Sequence, residues 1–319
     1  MSTQIKTTDQ TFSQKILGDG RTAFLSFLSG MFHAVSFEFI KPVSKFEKGM
    51  LIISIDVDVG SKELGILNQG KNDRNVSSQM SEYAVGEIEE AAIPELIKLL
   101  EKYNKPATFA VRGQLTEVPD SVLVRLLKSQ VKHDIGAHGY YHKKFKSLSY
   151  NEAEAELKMV SNGMRRFGLT PKSFIFPRNS VAHLDLLEKY GYECYRESSD
   201  FLNDSMYINR VGALWEVHPS FAIDRGTKSL FLKRLLDIAA ERRLPLHLWF
   251  HLRDFSTRSV KSEITRNLDR VLVPLLDYAD KKERDGVLTT ETMISAARIA
   301  SALYSANFKF GHNRARETN

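Results

Sequence analysis

Apolar residues recur along this chain in two alternating rhythms. Short runs bounded by Gly, Pro, Asn or Asp give way to longer stretches in which apolar positions return every three or four residues. The first clear run, Leu51-Ile52-Ile53-Ser54-Ile55-Asp56-Val57-Asp58, predicts a buried strand that ends in carboxylates. Lys105–Val111, Val131–Ala137, Ser173–Pro177, Tyr192–Tyr195, Pro245–His251 and Gly286–Thr290 predict further strands, and Met206–Val217 holds one or two more. Between them lie helical stripes. One carries Ile88, Ala92, Leu96, Leu99, Leu100 and Tyr103, with Pro94 marking a restart or kink. Another carries Ala153, Leu157, Val160, Met164 and Phe167; it starts at the capping-box pattern Ser149-Tyr150-Asn151-Glu152 and stops at Gly168. Helices are also predicted over Asp120–Ser129, His183–Tyr190, Ser229–Arg242, Ser262–Lys282 and Glu291 to about Leu303. Strand and helix thus alternate seven or eight times, which predicts an α/β fold with mostly parallel strands and a closed or nearly closed barrel.

The remaining segments frame that domain. Residues 1–48 form an N-terminal extension, polar at first and then apolar and uncharged from Thr22 to Phe37. That apolar stretch is short for a membrane span and predicts a helix packed on the core; attachment to a membrane surface through residues 22–40 is the second reading. The domain itself covers 49–304, and 305–319 is a basic C-terminal tail. Residues 60–81 are rich in Gly, Asn and Ser, a long loop of the kind that serves as a lid or substrate-binding element.

Composition narrows the function without naming it. With 42% hydrophobic and 26% charged residues, the chain has ordinary globular composition. Its net charge of +6 is spread over helical faces and lacks the basic, aromatic-laced stripe that nucleic acid would need, so no nucleic-acid partner is expected. The one cysteine, Cys194, sits in a strand and excludes an intrachain disulfide. The N-terminus lacks the basic and apolar regions of a secretory signal, so a cytoplasmic protein is expected, with membrane association as the variant.

Candidate chemistry collects just beyond the predicted strands. Asp56 and Asp58 end the first. His138 and His142 stand four apart where a strand hands over to a helix, a spacing that lets two imidazoles grip one ion. Arg178 follows the Ser173–Pro177 strand, and His251 ends Pro245–His251. In a barrel these ends converge on one face. One carboxylate and two imidazoles leave open positions on a divalent ion, as hydrolysis requires.

On these residues the chain resembles the polysaccharide deacetylases, carbohydrate esterases of family 4 type that share the NodB homology domain. The resemblance covers roughly residues 50–300 and implies a distorted (β/α)7-type barrel. Ser54-Ile55-Asp56-Val57-Asp58 is similar to the branch of the family in which the two aspartates are one residue apart. It implies Asp56 as catalytic base and Asp58 as metal ligand. His138-Gly139-Tyr140-Tyr141-His142 is similar to the His-Ser/Thr-x-x-His motif, whose histidines are ligands; Gly139 replaces the hydroxyl residue. Phe176-Pro177-Arg178-Asn179-Ser180 resembles, in altered order, the motif whose arginine steadies the base, which implies that role for Arg178. The Leu-x-His motif implies a general acid at His251, with His247 as the deeper alternative, and Trp215 is the counterpart of the family's tryptophan motif. The implied activity is zinc-dependent removal of N-acetyl groups from an amino sugar or glycan precursor. Opening of a cyclic ureide, hydrolysis of a formamide, or a degenerate glycan-binding role are the alternatives.

Overall fold

The structure is a computed structural model that describes residues 46–58, 82–117, 122–197, 206–255 and 261–316, without the side chains of 82–91 and 306–316. The apolar stretch 22–40, the extension before residue 46 and the expected lid at 60–81 lie outside the described residues.

Strand β1 (Gly49–Val57) is buried along its whole length because neighbours flank it on both sides. One edge pairs with β9 (Pro245–His251); on the other edge β2 (Thr108–Val111) takes its carboxyl half and β10 (Leu288–Glu291) its amino half, all parallel. The sheet continues through β3 (Asp134–Ala137), β4 (Ser173–Ile175), β5 (Cys194–Arg196) and β7 (Leu214–Val217) to β6 (Ile208–Val211). The short β8 (Phe221–Ala222) closes the far side of β9. Every pairing is parallel except β6–β7, a hairpin. The sheet runs from β6 to β8 as a curled half-barrel, more open than the strand count predicts.

Period-two alternation sorts β1 onto two cores. Leu51, Ile53, Ile55 and Val57 face the helices α1 (Glu82–Lys102), α5 (Ser229–Arg242) and α6 (Lys261–Arg284) in the larger cluster. Met50 and Ile52 face inward with Ala110, Ile175, Cys194, Trp215 and Val217. Met293, Ala296, Ala297 and Ala300 of α7 (Met293–Arg316) fill the amino end of that interior. Beyond them the inward positions of β1 turn polar, Ser54 and then Asp56, so the apolar plug ends where the chemistry begins.

Helix α3 (Tyr150–Arg165) starts as the sequence predicts: Glu152 N donates to Ser149 Oγ at 3.4 Å and Ser149 N to the Glu152 carboxylate at 2.8 Å. Such a cap is worth about 0.5–2 kcal/mol. Helix α2 is short (Val122–Leu127) and α4 spans Leu184–Lys189. Pro94 stands inside α1 without ending it. Helix α7 runs on to Arg316, so much of the expected tail is helical. Among the described residues, no helix is long and apolar enough to cross a membrane.

Candidate active site

Asp56 and His251 are direct register partners in β1 and β9, and neighbouring strands lie about 4.8 Å apart. His251 Nε2 therefore sits 3.7 Å from Asp56 Oδ2 and 3.4 Å from Asp58 Oδ2. Its other nitrogen, Nδ1, donates to Asp254 Oδ2 at 3.0 Å, and the His251 backbone N–H donates to the same oxygen at 2.9 Å. Burial disfavours the imidazolium, but Asp58 and Asp254 outweigh it and push the group up to about 10. His251 Nε2 is thus aimed at the two aspartates.

His138 follows β3 directly and is buried. Its Nδ1–H donates to Ile175 O at 2.9 Å, which fixes the tautomer and leaves the Nε2 lone pair inward with no hydrogen-bond partner among the described residues. His142 Nε2 lies 3.5 Å from Asp58 Oδ2. One donor atom from each of Asp58, His138 and His142 falls within 4.8 Å of the others. Burial keeps both imidazoles neutral, His142 down to about 3 and His138 lowered in the same direction. Neutral imidazoles, an ionised carboxylate and an orphaned buried lone pair fit a divalent cation.

The turn between the histidines needs its glycine. Gly139 has φ +64°, and a Cβ there would meet Pro177 Cγ at 2.9 Å. The support that a hydroxyl residue would give comes instead from Glu156 of α3, whose Oε2 accepts from Tyr140 N at 2.8 Å and Tyr141 N at 2.9 Å. Gly139→Ser, which restores the family's residue type, is therefore expected to destabilise the protein by about 1–2 kcal/mol, measured by urea unfolding.

Two arginines dominate the electrostatics, and neither is Arg178. Arg196, the last residue of β5, is buried and donates from Nη2 to Asp56 Oδ2 at 2.5 Å. Burial raises the Asp56 carboxyl, but Arg196, His138 and His251 together bring it down to about 2. Oδ1 of Asp56 is left with no hydrogen-bond partner among the described residues. Arg253 clasps Asp58 with both Nη atoms, at 2.5 and 2.9 Å. Against the cost of burial, Arg253 and His251 hold that carboxyl well below its usual range.

Arg178 is the arginine expected to steady the base; the arginine that donates to Asp56 in this structure is Arg196. The sequence after β4 enters a turn at Pro177, where Arg178 (φ 55°) and Asn179 (φ 51°) both take left-handed conformations. That carries Arg178 past the strand end, where it feels the charge of Asp58. Trp215 likewise lies in the inner core against Tyr304, and the tryptophan near the base is Trp249, whose ring lies 4.6 Å from the Arg196 guanidinium. Arg196 was accessible from the alternation: the predicted strand Tyr192–Tyr195 stops one residue short of it, and it shares the inward face of Cys194. Arg253 carried no signal beyond its place just after His251.

A mostly parallel curled sheet gathers two buried aspartates, a histidine facing both and a cluster of three metal-ligating donor atoms at one carboxyl rim. Comparison with known proteins points the same way. The family model described as polysaccharide deacetylase matches residues 81–195. A peptidoglycan deacetylase of Helicobacter pylori (strain ATCC 700392 / 26695) is 30% identical over 129 residues, 40% of this chain and 43% of that protein. The matched region thus spans less than half the length of that relative. Among solved structures, a protein of Mycobacterium smegmatis assigned to the polysaccharide deacetylases superposes with TM-score 0.63 at 16% identity, over 83% of this chain and 96% of the other. PuuE allantoinase superposes with TM-score 0.56 at 15% identity, over 79% and 90%. At those identities the likeness is one of fold. Over residues 81–195 the chain is thus similar to the polysaccharide deacetylases, and its fold is one that a solved structure assigned to them shares.

Proposed function

We propose that the protein is a metal-dependent hydrolase that removes N-acetyl groups from an amino sugar in a glycan or glycan precursor. The observation that carries this reading is the division of labour around Asp56 and His251. The Asp56 carboxylate is ionised, with Oδ2 engaged by Arg196 and Oδ1 open. His251, 3.7 Å away, is drawn towards its protonated form by Asp58 and Asp254. A base that holds no proton and an acid that holds one are the two states that amide hydrolysis consumes.

Asp58, His138 and His142 would hold the ion, and zinc is the assignment because one carboxylate and two imidazoles are its characteristic donors. A divalent ion bound there would supply Lewis-acid polarisation of the acyl oxygen and make water acidic enough to attack near neutral pH. Asp56 takes the proton from the attacking water at Oδ1. Arg196 keeps Asp56 ionised until it does so. His251 gives its Nε2 proton to the departing amine, and Asp254 keeps that nitrogen aimed inward.

The test is acetate release from N-acetylated oligosaccharides by zinc-loaded protein, with Asp56→Asn as control. Turnover is expected to fall by about 10²–10⁴-fold in the variant while metal content stays constant. Release of formate from formamides, or ring-opened product from a cyclic ureide, with no acetate, would replace the acetyl reading with that chemistry. The pH profile supplies a second check. His251 acts protonated, so turnover falls as pH rises through its pKa, and Asp254 raises that pKa. In Asp254→Asn the alkaline limb of kcat is expected to move to lower pH; a limb that stays put would exclude His251 as the donor.

A further inference from the structure

The base is held from inside the fold by a directional chain of hydrogen bonds. Arg196 Nη2 donates to Asp56, and Arg196 Nη1 donates to Ser54 Oγ at 2.8 Å. Ser54 Oγ in turn lies 2.8 Å from His247 Nε2, and His247 Nδ1 lies 3.2 Å from Val217 O. The donor inventory leaves one arrangement of protons. A guanidinium only donates, so the Ser54 oxygen accepts from Arg196. The Val217 carbonyl only accepts, so in the neutral His247 ring Nδ1 carries the proton and Nε2 is left to accept from Ser54. Ser54, Arg196 and His247 are all essentially without solvent exposure. Burial keeps His247 neutral, down to about 3, so the acceptor persists at working pH. His247 is itself pinned, since its backbone N–H donates to Ser220 Oγ at 3.0 Å and Ser220 N donates back to its carbonyl at 2.8 Å.

This arrangement answers a geometric need. Arg196 reaches Asp56 across the curled interior, from β5 to β1, through a long and rotatable side chain. Its fork has to be set so that one nitrogen takes Oδ2 and Oδ1 stays open. The Trp249 ring fixes the plane of the guanidinium, and Ser54 fixes its rotation within that plane. Resting on the reading of Asp56 as base, we propose that Ser54 and His247 are positioning residues for it, acting through Arg196. His247 is then the anchor of the base, two inward positions below the acid His251 on the same strand.

The test compares His247→Leu, Ser54→Ala and His247→Gln in the full-length, zinc-loaded chain. Glutamine can still accept from Ser54; leucine cannot, and alanine removes the joint. In the leucine and alanine variants kcat is expected to fall roughly ten- to hundredfold, with KM and metal content unchanged, and glutamine should recover most of the loss. The second readout needs no turnover: ¹⁵N side-chain spectra of arginine, assigned with Arg196→Lys. Separate, slowly exchanging Arg196 Nη signals are expected in the wild type and in glutamine, and merged signals in the other two. Unchanged kcat together with unchanged Arg196 signals in Ser54→Ala, which removes only a buried oxygen, would overturn the proposal even if His247→Leu fails to fold. A wild type that hydrolyses no acetamido sugar would sink the deacetylase reading alone, and the Arg196 signals would still decide the relay.

Discussion

Replacing His138 with alanine is expected to strip the ion from the protein and take turnover down with it. Its Nε2 is a buried lone pair with no partner among the described residues, and its Nδ1–H is spent on the Ile175 carbonyl. A buried polar atom left in that state is costly unless something of opposite character meets it. Asp58 and His142 bring their donor atoms to the same place. Loss of one of three protein ligands leaves too few to hold a divalent ion against water. An ion that polarises the acyl oxygen is worth several kcal/mol, on the order of a thousandfold in rate. Metal content measured by mass spectrometry on His138→Ala, His142→Ala and Asp58→Ala decides it. Stoichiometric metal in all three would overturn the assignment of these ligands. Asp58→Ala carries a further consequence, because it also releases Arg253 from its two-pronged grip.

The largest effect on stability is expected at Arg196. Arg196→Met keeps much of the volume and removes the charge, leaving the buried Asp56 carboxylate without its hydrogen-bonded partner and with only the longer His251 contact. Breaking a buried pair from one side costs about 3–5 kcal/mol, a large share of a domain's net stability. The sign follows from the carboxylate. Its folded pKa is near 2, against 3.8 for the free group, so the pair stabilises the fold above that free value and the contribution is lost as pH falls through about 2. The penalty in Arg196→Met should therefore be full at pH 7 and shrink towards acid, where a carboxyl no longer held down takes up a proton. Urea unfolding at pH 7 and pH 4.5 measures this. A neutral double variant, Arg196→Met with Asp56→Asn, should be more stable at pH 7 than Arg196→Met alone. If the single variant matched the wild type, the pair would not be the buried contact described above.

How much of this was legible beforehand divides along physical lines. Local rules are short-range, and they held where they applied. The 3.6 and 2.0 periods located the main strands and helices because burial acts on each face as the chain is written. Ser149 and Glu152 cap a helix from within four residues. The apolar run of β1 ends in Asp56 and Asp58 because the interior changes from plug to site at that depth. Those strand ends, with His138, His142 and His251, named most of the rim, since parallel strands deliver their carboxyl ends to one side.

What the linear pattern could not contain was contact across the curl. Arg196 and Asp56 are 140 residues apart and not on neighbouring strands, and no periodicity relates them. Only the bending of the sheet brings β5 opposite β1. Arg253 meets Asp58 because each lies two residues past the Asp56–His251 register pair on adjacent strands, whereas the bending puts Trp249 under the guanidinium. The left-handed turn at Arg178 and Asn179 is likewise invisible to strand periodicity. The sequence by itself determined which side chains arrive at the rim, through alternation and strand polarity. The tertiary structure decided which of them touch, because a charge pairs with whatever the curvature brings within about 3 Å and not with what lies near it along the chain.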